Sequence, residues 1–368
     1  MRIAQISPLF ESVPPRRYGG TERVVHYLTE ELVRLGHEVT LFASGDSCTS
    51  ARLQASVPEA LRLAGYAGDP LVPDLIQLDQ VADQLERFDV LHFHTGPVHY
   101  PLLARLAVPH VNTMHGPLAA SHLAQLHRHF PSAPLVSISD AQRAPLPQAN
   151  WLGTVHHGLP LDLYRPGGGT PCGSRPYLAF IGRVSPEKRL DRAIAIATAV
   201  GLPLKVAAKI DTADRAYHDD AIAPLIQANP LVEFIGEVDD AGKQELLGSA
   251  LALLFPIDWP EPFGLVMIEA NACGTPVIAW RNGSTPEVIR PGINGQLVDS
   301  IEAAAEAVRG IDGLDRGRVR SDFETRFSVT RQAAAYERLY RHQMQACTDL
   351  TLRRRPRLEP LQPLGHAA

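Results

Sequence analysis

Apolar residues fall along the chain in short unbroken runs, with segments of helical period between them. In the first half the runs are Ile3–Ile6, Val39–Ala43, Val90–Phe93, His110–Thr113, Leu135–Ile138 and Thr154–His156. In the second half they are Tyr177–Ile181, Leu204–Ala207, Val232–Ile235, Ala252–Phe255, Pro276–Ala279 and Gln296–Val298. Runs this short, apolar at odd and even positions alike, predict strands covered on both faces. Their alternation with helices predicts βαβ units and two tandem doubly wound α/β halves. The first helix is the clearest. Thr21 is the expected N-cap and Glu22 lies in the first turn, where the helix dipole favours an acid. Val24, Val25, Leu28, Leu32 and Leu35 make one apolar stripe, and Gly36 supplies the stop.

The seam between the halves is Tyr164-Arg-Pro-Gly-Gly-Gly-Thr-Pro-Cys-Gly-Ser-Arg-Pro176, too rich in Gly and Pro for a helix or central strand. It sets the expected organisation: a first domain over 1–165, a hinge over 166–176 and a second domain over 177–330. Beyond about Thr351 the tail is rich in Arg and Pro and reads as disordered, with contact to an anionic surface as the alternative.

Composition changes this picture little. The chain has 368 residues, enough for two ordinary domains, and its formal charge of −5 argues against general nucleic-acid binding. Cys48, Cys172, Cys273 and Cys347 are scattered without metal-ligand spacing or a disulfide framework, which fits a reducing cytoplasm. The chain opens directly on a strand, with no signal-peptide pattern, and no run approaches a membrane span.

The chemistry gathers after strands. Arg183 and Lys188 follow the run Tyr177–Ile181, where fixed cations can stabilise a departing diphosphate or simply sit on the surface. Gly19 and Gly20 follow the first strand and open the first helix, either as a close-approach loop over a ligand or as a tight turn. Glu261 precedes a helix whose start is marked by Phe263, Gly264 and Leu265, with open N–H groups suited to phosphate or sugar oxygens. Glu269 lies inside that apolar helix and must face a cleft or hold a salt bridge. His115 ends another strand, where it can donate to a sugar hydroxyl or stabilise a charged species. His92, His94 and His99 suggest cleft lining more than a metal. Asp-x-Asp, Gly-x-Ser-x-Gly and the phosphate loop are all absent.

Taken together, Glu261-x7-Glu269 with Phe263-Gly264, Gly182-Arg183 with Glu187-Lys188, Gly19-Gly20, Thr113-x-His115-Gly116, and Gly283, Pro286-Glu287 and Gly292-x-Asn294-Gly295 resemble a GT-B fold retaining glycosyltransferase of family 4. The resemblance covers roughly residues 1–345. It implies two facing Rossmann-like domains with a cleft between them, the first for an acceptor and the second for a nucleotide-sugar. It also implies a helix over 331–348 returning to the first domain, ahead of a tail over 349–368.

Carried over by position, Arg183 and Lys188 hold the donor diphosphate. Glu269 holds the ribose and Glu261 the donor sugar, while Phe263, Gly264 and Leu265 contact sugar and phosphate through backbone. His115 reaches the sugar from across the cleft, and Gly20 closes over phosphate and acceptor. The family's Lys-Gly is Lys188-Arg189 here, and its Asn-Gly is His157-Gly158.

The expected function is transfer of a hexose-type sugar, with retention, to a hydroxyl acceptor that is a sugar, a lipid-linked molecule or a small molecule. UDP is the expected carrier by family frequency. A front-face route without cofactor or divalent metal is expected, in a cytoplasmic protein with peripheral membrane contact as an option. A GT-B epimerase or phosphorylase, or a non-catalytic nucleotide-sugar-binding protein, are the alternatives.

Overall fold

The computed structural model describes residues 1–16, 19–169 and 173–354, with side chains described through residue 349. β1 (Arg2–Ile6), β2 (Glu38–Ser44), β3 (Arg52–Val57), β4 (Val90–Phe93), β5 (His110–Thr113), β6 (Leu135–Ser137) and β7 (Trp151–Thr154) form the first sheet, in the order β3-β2-β1-β4-β5-β6-β7. β8 (Leu178–Arg183), β9 (Leu204–Lys209), β10 (Val232–Gly236), β11 (Ala252–Phe255), β12 (Val277–Trp280) and β13 (Gly295–Val298) form the second, in the order β10-β9-β8-β11-β12-β13. Every pairing is parallel. Both units are Rossmann-like. In each, the strand order reverses beside the first strand, at β1/β4 and at β8/β11, which is where such sheets open a crevice beyond their carboxyl ends.

The expected strands match with two exceptions. β3 was not expected, because Arg52, Gln54 and Ser56 interrupt its apolar positions; as the edge strand it is only half-buried. The last run of the first half, expected over Thr154–His156, is β7 at Trp151–Thr154, and the chain then leaves the sheet. The first helix is Gly20–Arg34, capped by Gly19 and not by Thr21, with Gly36 at φ 84°. Leu35 lies past its end and is 38% exposed, so the buried stripe stops at Leu32.

Both faces of the first sheet are covered. Ile3, Val90, Val111 and Val136 pack under Leu28 and Leu32 on one face, together with Ala333, Tyr336 and Tyr340 of the last helix, Val329–Arg354. Ala4, Phe42, Leu91 and Phe93 pack against Val81 and Leu103 on the other. Residues 349–354, expected in the tail, continue the last helix, while the rest of that expected tail lies outside the described residues.

The expected hinge is also corrected. Gly167 N–H donates to Cys273 O at 2.8 Å, and Gly169 N–H donates to Gly248 O at 3.2 Å. A Cβ on Gly167 would lie 2.1 Å from Gly248 O, so this stretch is packed onto the second unit; Thr170–Cys172 lie outside the described residues. The chain passes between the sheets at two adjacent places instead. Leu159 N–H donates to Phe327 O at 2.8 Å, and Val329 N–H donates to Leu159 O at 2.9 Å.

Candidate functional site

A cleft of about 390 Å³ lies between the carboxyl ends of the two sheets. Gly19, Gly20 and His115 line it from the first unit; Arg183, Lys188, Glu261, Phe263, Gly264, Leu265 and Glu269 line it from the second. The loops after β1, β5, β8 and β11 therefore bring these ten residues, to which the sequence pattern assigns donor-binding or catalytic roles, to one place.

Glu261 and Lys188 form an ion pair, and the Trp259 indole donates to the same carboxylate oxygen at 2.9 Å. The Lys188 ammonium lies 5.1 Å from the Trp259 ring centre and 5.7 Å from that of Phe255, so aromatic faces hold it as well. The Glu261 loop is embraced by Gly283, at φ 56°, where a Cβ would fall 2.4 Å from Glu261 N. Only glycine fits both the conformation and that contact. Gly264, at φ 79°, begins the helix Leu265–Ala272, and a Cβ there would meet Met267 at 2.8 Å. No side chain caps this helix start, and Gly264, Leu265 and Val266 line the cleft.

Glu269 is only 2% exposed and is neutralised by Lys243 at 2.7 Å. Arg183 engages Glu187 at 2.8 Å and Asp214 at 3.4 Å, and Lys209 pairs with Asp211 at 2.7 Å. Arg23 reaches in from the first helix to Asp240 at 2.6 Å, and Tyr164 donates to the other oxygen of that carboxylate at 3.0 Å.

The sequence reading missed Arg23, Lys209, Lys243 and Trp259, and gave His157 no site role, though all five line the cleft. One signal was present: three of the chain's four lysines, Lys188, Lys209 and Lys243, line the cleft. Arg23, one of many arginines, gave none.

The histidines are corrected in part. His92 is fully buried, between the Tyr340 hydroxyl and the Thr113 hydroxyl at 2.7 Å each, and does not line the cleft. His99 is stacked on Phe93 and bonded to Asn112. His94 is buried one step behind His115, with 2.9 Å between their ring nitrogens. Burial pushes His115 down to about 3, so its neutral ring brings no cationic charge at neutral pH. His157 stacks on His115 at 5.4 Å and meets Phe263 edge-on at 4.9 Å. Among the described residues no group of three or more His, Cys, Asp or Glu is placed to hold a metal ion.

Two parallel sheets facing each other across a cleft at their switch points, with acids, cations and an open helix start on its walls, define the GT-B class. The profile described as glycosyl transferases group 1 matches residues 171–314, and that of glycosyltransferase family 4 matches residues 18–151. The chain belongs to this group 1/family 4 of GT-B glycosyltransferases. D-inositol 3-phosphate glycosyltransferase of Mycobacterium marinum is 29% identical over 270 residues, which cover 64% of this chain and 58% of that protein. Among solved structures, AviGT4, a glycosyltransferase involved in avilamycin A biosynthesis, is 27% identical with a TM-score of 0.72, covering 94% of this chain and 98% of its own. Alr3699/HepE of Anabaena, solved with UDP-glucose, shares the fold at 18% identity and a TM-score of 0.66, covering 96% and 100%.

Proposed function

We propose that this protein is a retaining glycosyltransferase that moves a hexose-type sugar from a nucleotide-sugar, UDP-linked, to a hydroxyl acceptor. The observation that carries this reading is the opposition of two groups of residues across one cleft. Lys188–Glu261, Lys243–Glu269 and the open helix start at Gly264 stand on one wall; His115 and the Gly19-Gly20 turn stand on the other. Acids suit sugar and ribose hydroxyls, while cations and helix N–H groups suit a diphosphate. The solved complex of HepE with UDP-glucose supports UDP as the carrier.

In the proposed step the bond from the anomeric carbon to the phosphate oxygen breaks, and a bond to the acceptor oxygen forms on the same face. The acceptor's proton passes to the leaving diphosphate. Arg183, Lys188 and the helix N–H groups stabilise the charge that develops there. Glu269 takes the ribose, Glu261 the sugar, and Gly20, within 3.8 Å of Leu265 for an added Cβ, closes the loop over the phosphates. No cofactor or divalent metal takes part. The acceptor is a sugar, a lipid-linked or a small molecule. No helix among the described residues is long and apolar enough to cross a membrane, and we place any membrane contact at the His-rich helix Ser121–His129.

Release of UDP from UDP-glucose and other UDP-sugars, with and without an acceptor panel, tests the assignment. Acceptor-dependent release that survives EDTA is expected. Conversion of the donor without acceptor would mark an epimerase, and binding without release a non-catalytic protein. Lys188→Ala should lower kcat about a hundredfold while the melting temperature stays close to wild type; full turnover in that variant would remove Lys188 from the mechanism.

A further inference from the structure

The Glu261 carboxylate is gripped on one side only. Lys188 and the Trp259 indole both donate to its Oε2, the indole at 2.9 Å. An ammonium and an indole N–H can only donate, so the direction of both bonds is fixed by chemistry. Oε1 has no partner among the described residues, and it is not shut away from solvent. Since Glu261 lines the cleft, Oε1 is the oxygen left for a ligand. The two donors differ in what they can specify. An ammonium on a flexible stem holds a carboxylate by charge, which either oxygen satisfies equally. A rigid indole with a single N–H selects one oxygen and fixes the plane of the group.

The run Trp259-Pro260-Glu261-Pro262 builds this grip locally. Glu261 N–H donates to Trp259 O at 2.8 Å, closing a three-residue turn with Pro260 at its centre, and the fixed φ of proline suits that turn. Pro262 restricts the Glu261 backbone from the other side. Ser284 N–H donates to Glu261 O at 3.0 Å and ties the turn to the next loop. The indole and the carboxylate therefore have little freedom to part. The Trp259 ring also lies against the Lys188 ammonium. Phenylalanine would keep that face and lose the N–H, so one substitution separates the bond from the packing.

We infer that Trp259 is a positioning residue for the transferred sugar: its N–H orients Glu261 so that Oε1 accepts from a hydroxyl of that sugar, and it acts on the sugar half of the donor and not on the nucleotide half. Lys188 is shared with the diphosphate in the proposed step, whereas the indole serves Glu261 alone. The inference rests on the glycosyl-transfer reading for the identity of the ligand, and on the two bonds to Oε2 for the orientation.

The full-length protein labelled with ¹⁵N-tryptophan provides the test. It gives three indole signals, from Trp151, Trp259 and Trp280, and the one lost in Trp259→Phe is that of Trp259. This signal is expected to move upfield in Glu261→Ala, because a charge-assisted bond is lost. Calorimetric titration with UDP, and with UDP-glucose or whichever UDP-sugar gives turnover, reads the second half. Trp259→Phe should weaken binding of the UDP-sugar about tenfold, the weight of one hydrogen bond to a charged group, and that of UDP by no more than about twofold. In a Glu261→Ala background the same substitution should change neither by more than about twofold, since no carboxylate is left to orient. An indole signal that stays in place, an equal loss for UDP and the UDP-sugar, or the same loss without Glu261 overturns the inference. Should Trp259→Phe not fold, Trp151→Phe and Trp280→Phe assign the signal by elimination. Its shift in Glu261→Ala, and a larger shift with the UDP-sugar than with UDP, then decide. Wild-type protein that releases no UDP from any UDP-sugar would overturn the glycosyl-transfer reading instead, and the indole signal would still decide the orientation of Glu261.

Discussion

Arg189 sits in the left-handed region at φ 54° and ψ 51°, the one non-glycine residue with positive φ among those described. It stands where the family pattern has Gly, and a Cβ there costs about 1–2 kcal/mol. Its guanidinium reaches Asp191 and Asp258 at 2.8 Å each, and these half-exposed pairs offset part of that cost. Arg189→Ala loses the pairs and keeps the strain, whereas Arg189→Gly loses both. Urea titration should therefore find the Gly variant more stable than the Ala variant by about 1 kcal/mol; the reverse order would show that the backbone there is unstrained. Glu22 is a second residue under tension. Burial, with some help from Glu11, pushes it up to about 7, above an ordinary value of 4.5. The folded state holds this proton more tightly than the unfolded chain. Its contribution is therefore favourable at low pH and is lost as pH rises from 4.5 through about 7. Glu22→Gln should raise stability at pH 8 by roughly 2 kcal/mol more than at pH 5, as read from denaturant midpoints; equal effects at both pH values would show that Glu22 ionises freely. The site acids and cations were legible because Glu261, Glu269, Arg183 and Lys188 lie within short spacings of a strand or helix end. Arg23 was not, since what makes it part of the site is a partner distant in sequence, Asp240.

At the scale of elements, the central strands were readable because burial on both faces leaves few polar positions to interrupt their apolar runs. β3 escaped for the opposite reason, as an edge strand in which Arg52, Gln54 and Ser56 break the apolar run. The start of the first helix was misplaced by two residues, because Gly19 caps by backbone conformation and leaves no side-chain signature. The chain crossing was likewise misread: a Gly/Pro-rich composition marks where helices and strands cannot run, not where two units part. The crossing itself depends on Gly158, where a Cβ would lie 2.4 Å from Ser328 O and 2.8 Å from Val329 N. Backbone on both sides leaves no room to yield. Gly158→Ala should cost about 3 kcal/mol, while Gly168→Ala, with open space around it, should stay within about 0.5 kcal/mol of wild type. Similar melting curves for the two would mean that the crossing strands can separate.

At the scale of the molecule, the two units touch beyond the crossing. Arg23 meets Asp240, and the Glu287 carboxylate accepts from Asp140 N–H at 2.8 Å and Ala141 N–H at 2.7 Å while facing His156 Nε2 at 3.0 Å. Burial would raise the Glu287 carboxyl, but these bonds outweigh it and hold it below its ordinary value. A carboxyl lowered in this way stabilises the contact above the ordinary carboxylate range, and the contribution is lost as pH falls through the lowered value. The contact therefore persists at neutral pH. Glu287→Ala should enlarge the radius of gyration in X-ray scattering at pH 7 and raise the share of donor lost to water, since an open cleft admits solvent. Unchanged scattering would show that the crossing alone keeps the units together.

The last helix has a consequence of another kind. Ala333, Tyr336 and Tyr340 complete the hydrophobic face of the first sheet, although the whole second unit separates them from it in sequence. Topologically, the second unit is an insertion within the first. On a ribosome, β1 to β7 emerge long before the side chains that cover them. The second unit, continuous in sequence from β8 onward, has its own core to close in the meantime. The order of synthesis and the order of completion are therefore inverted: the half that is made first is the half that must wait.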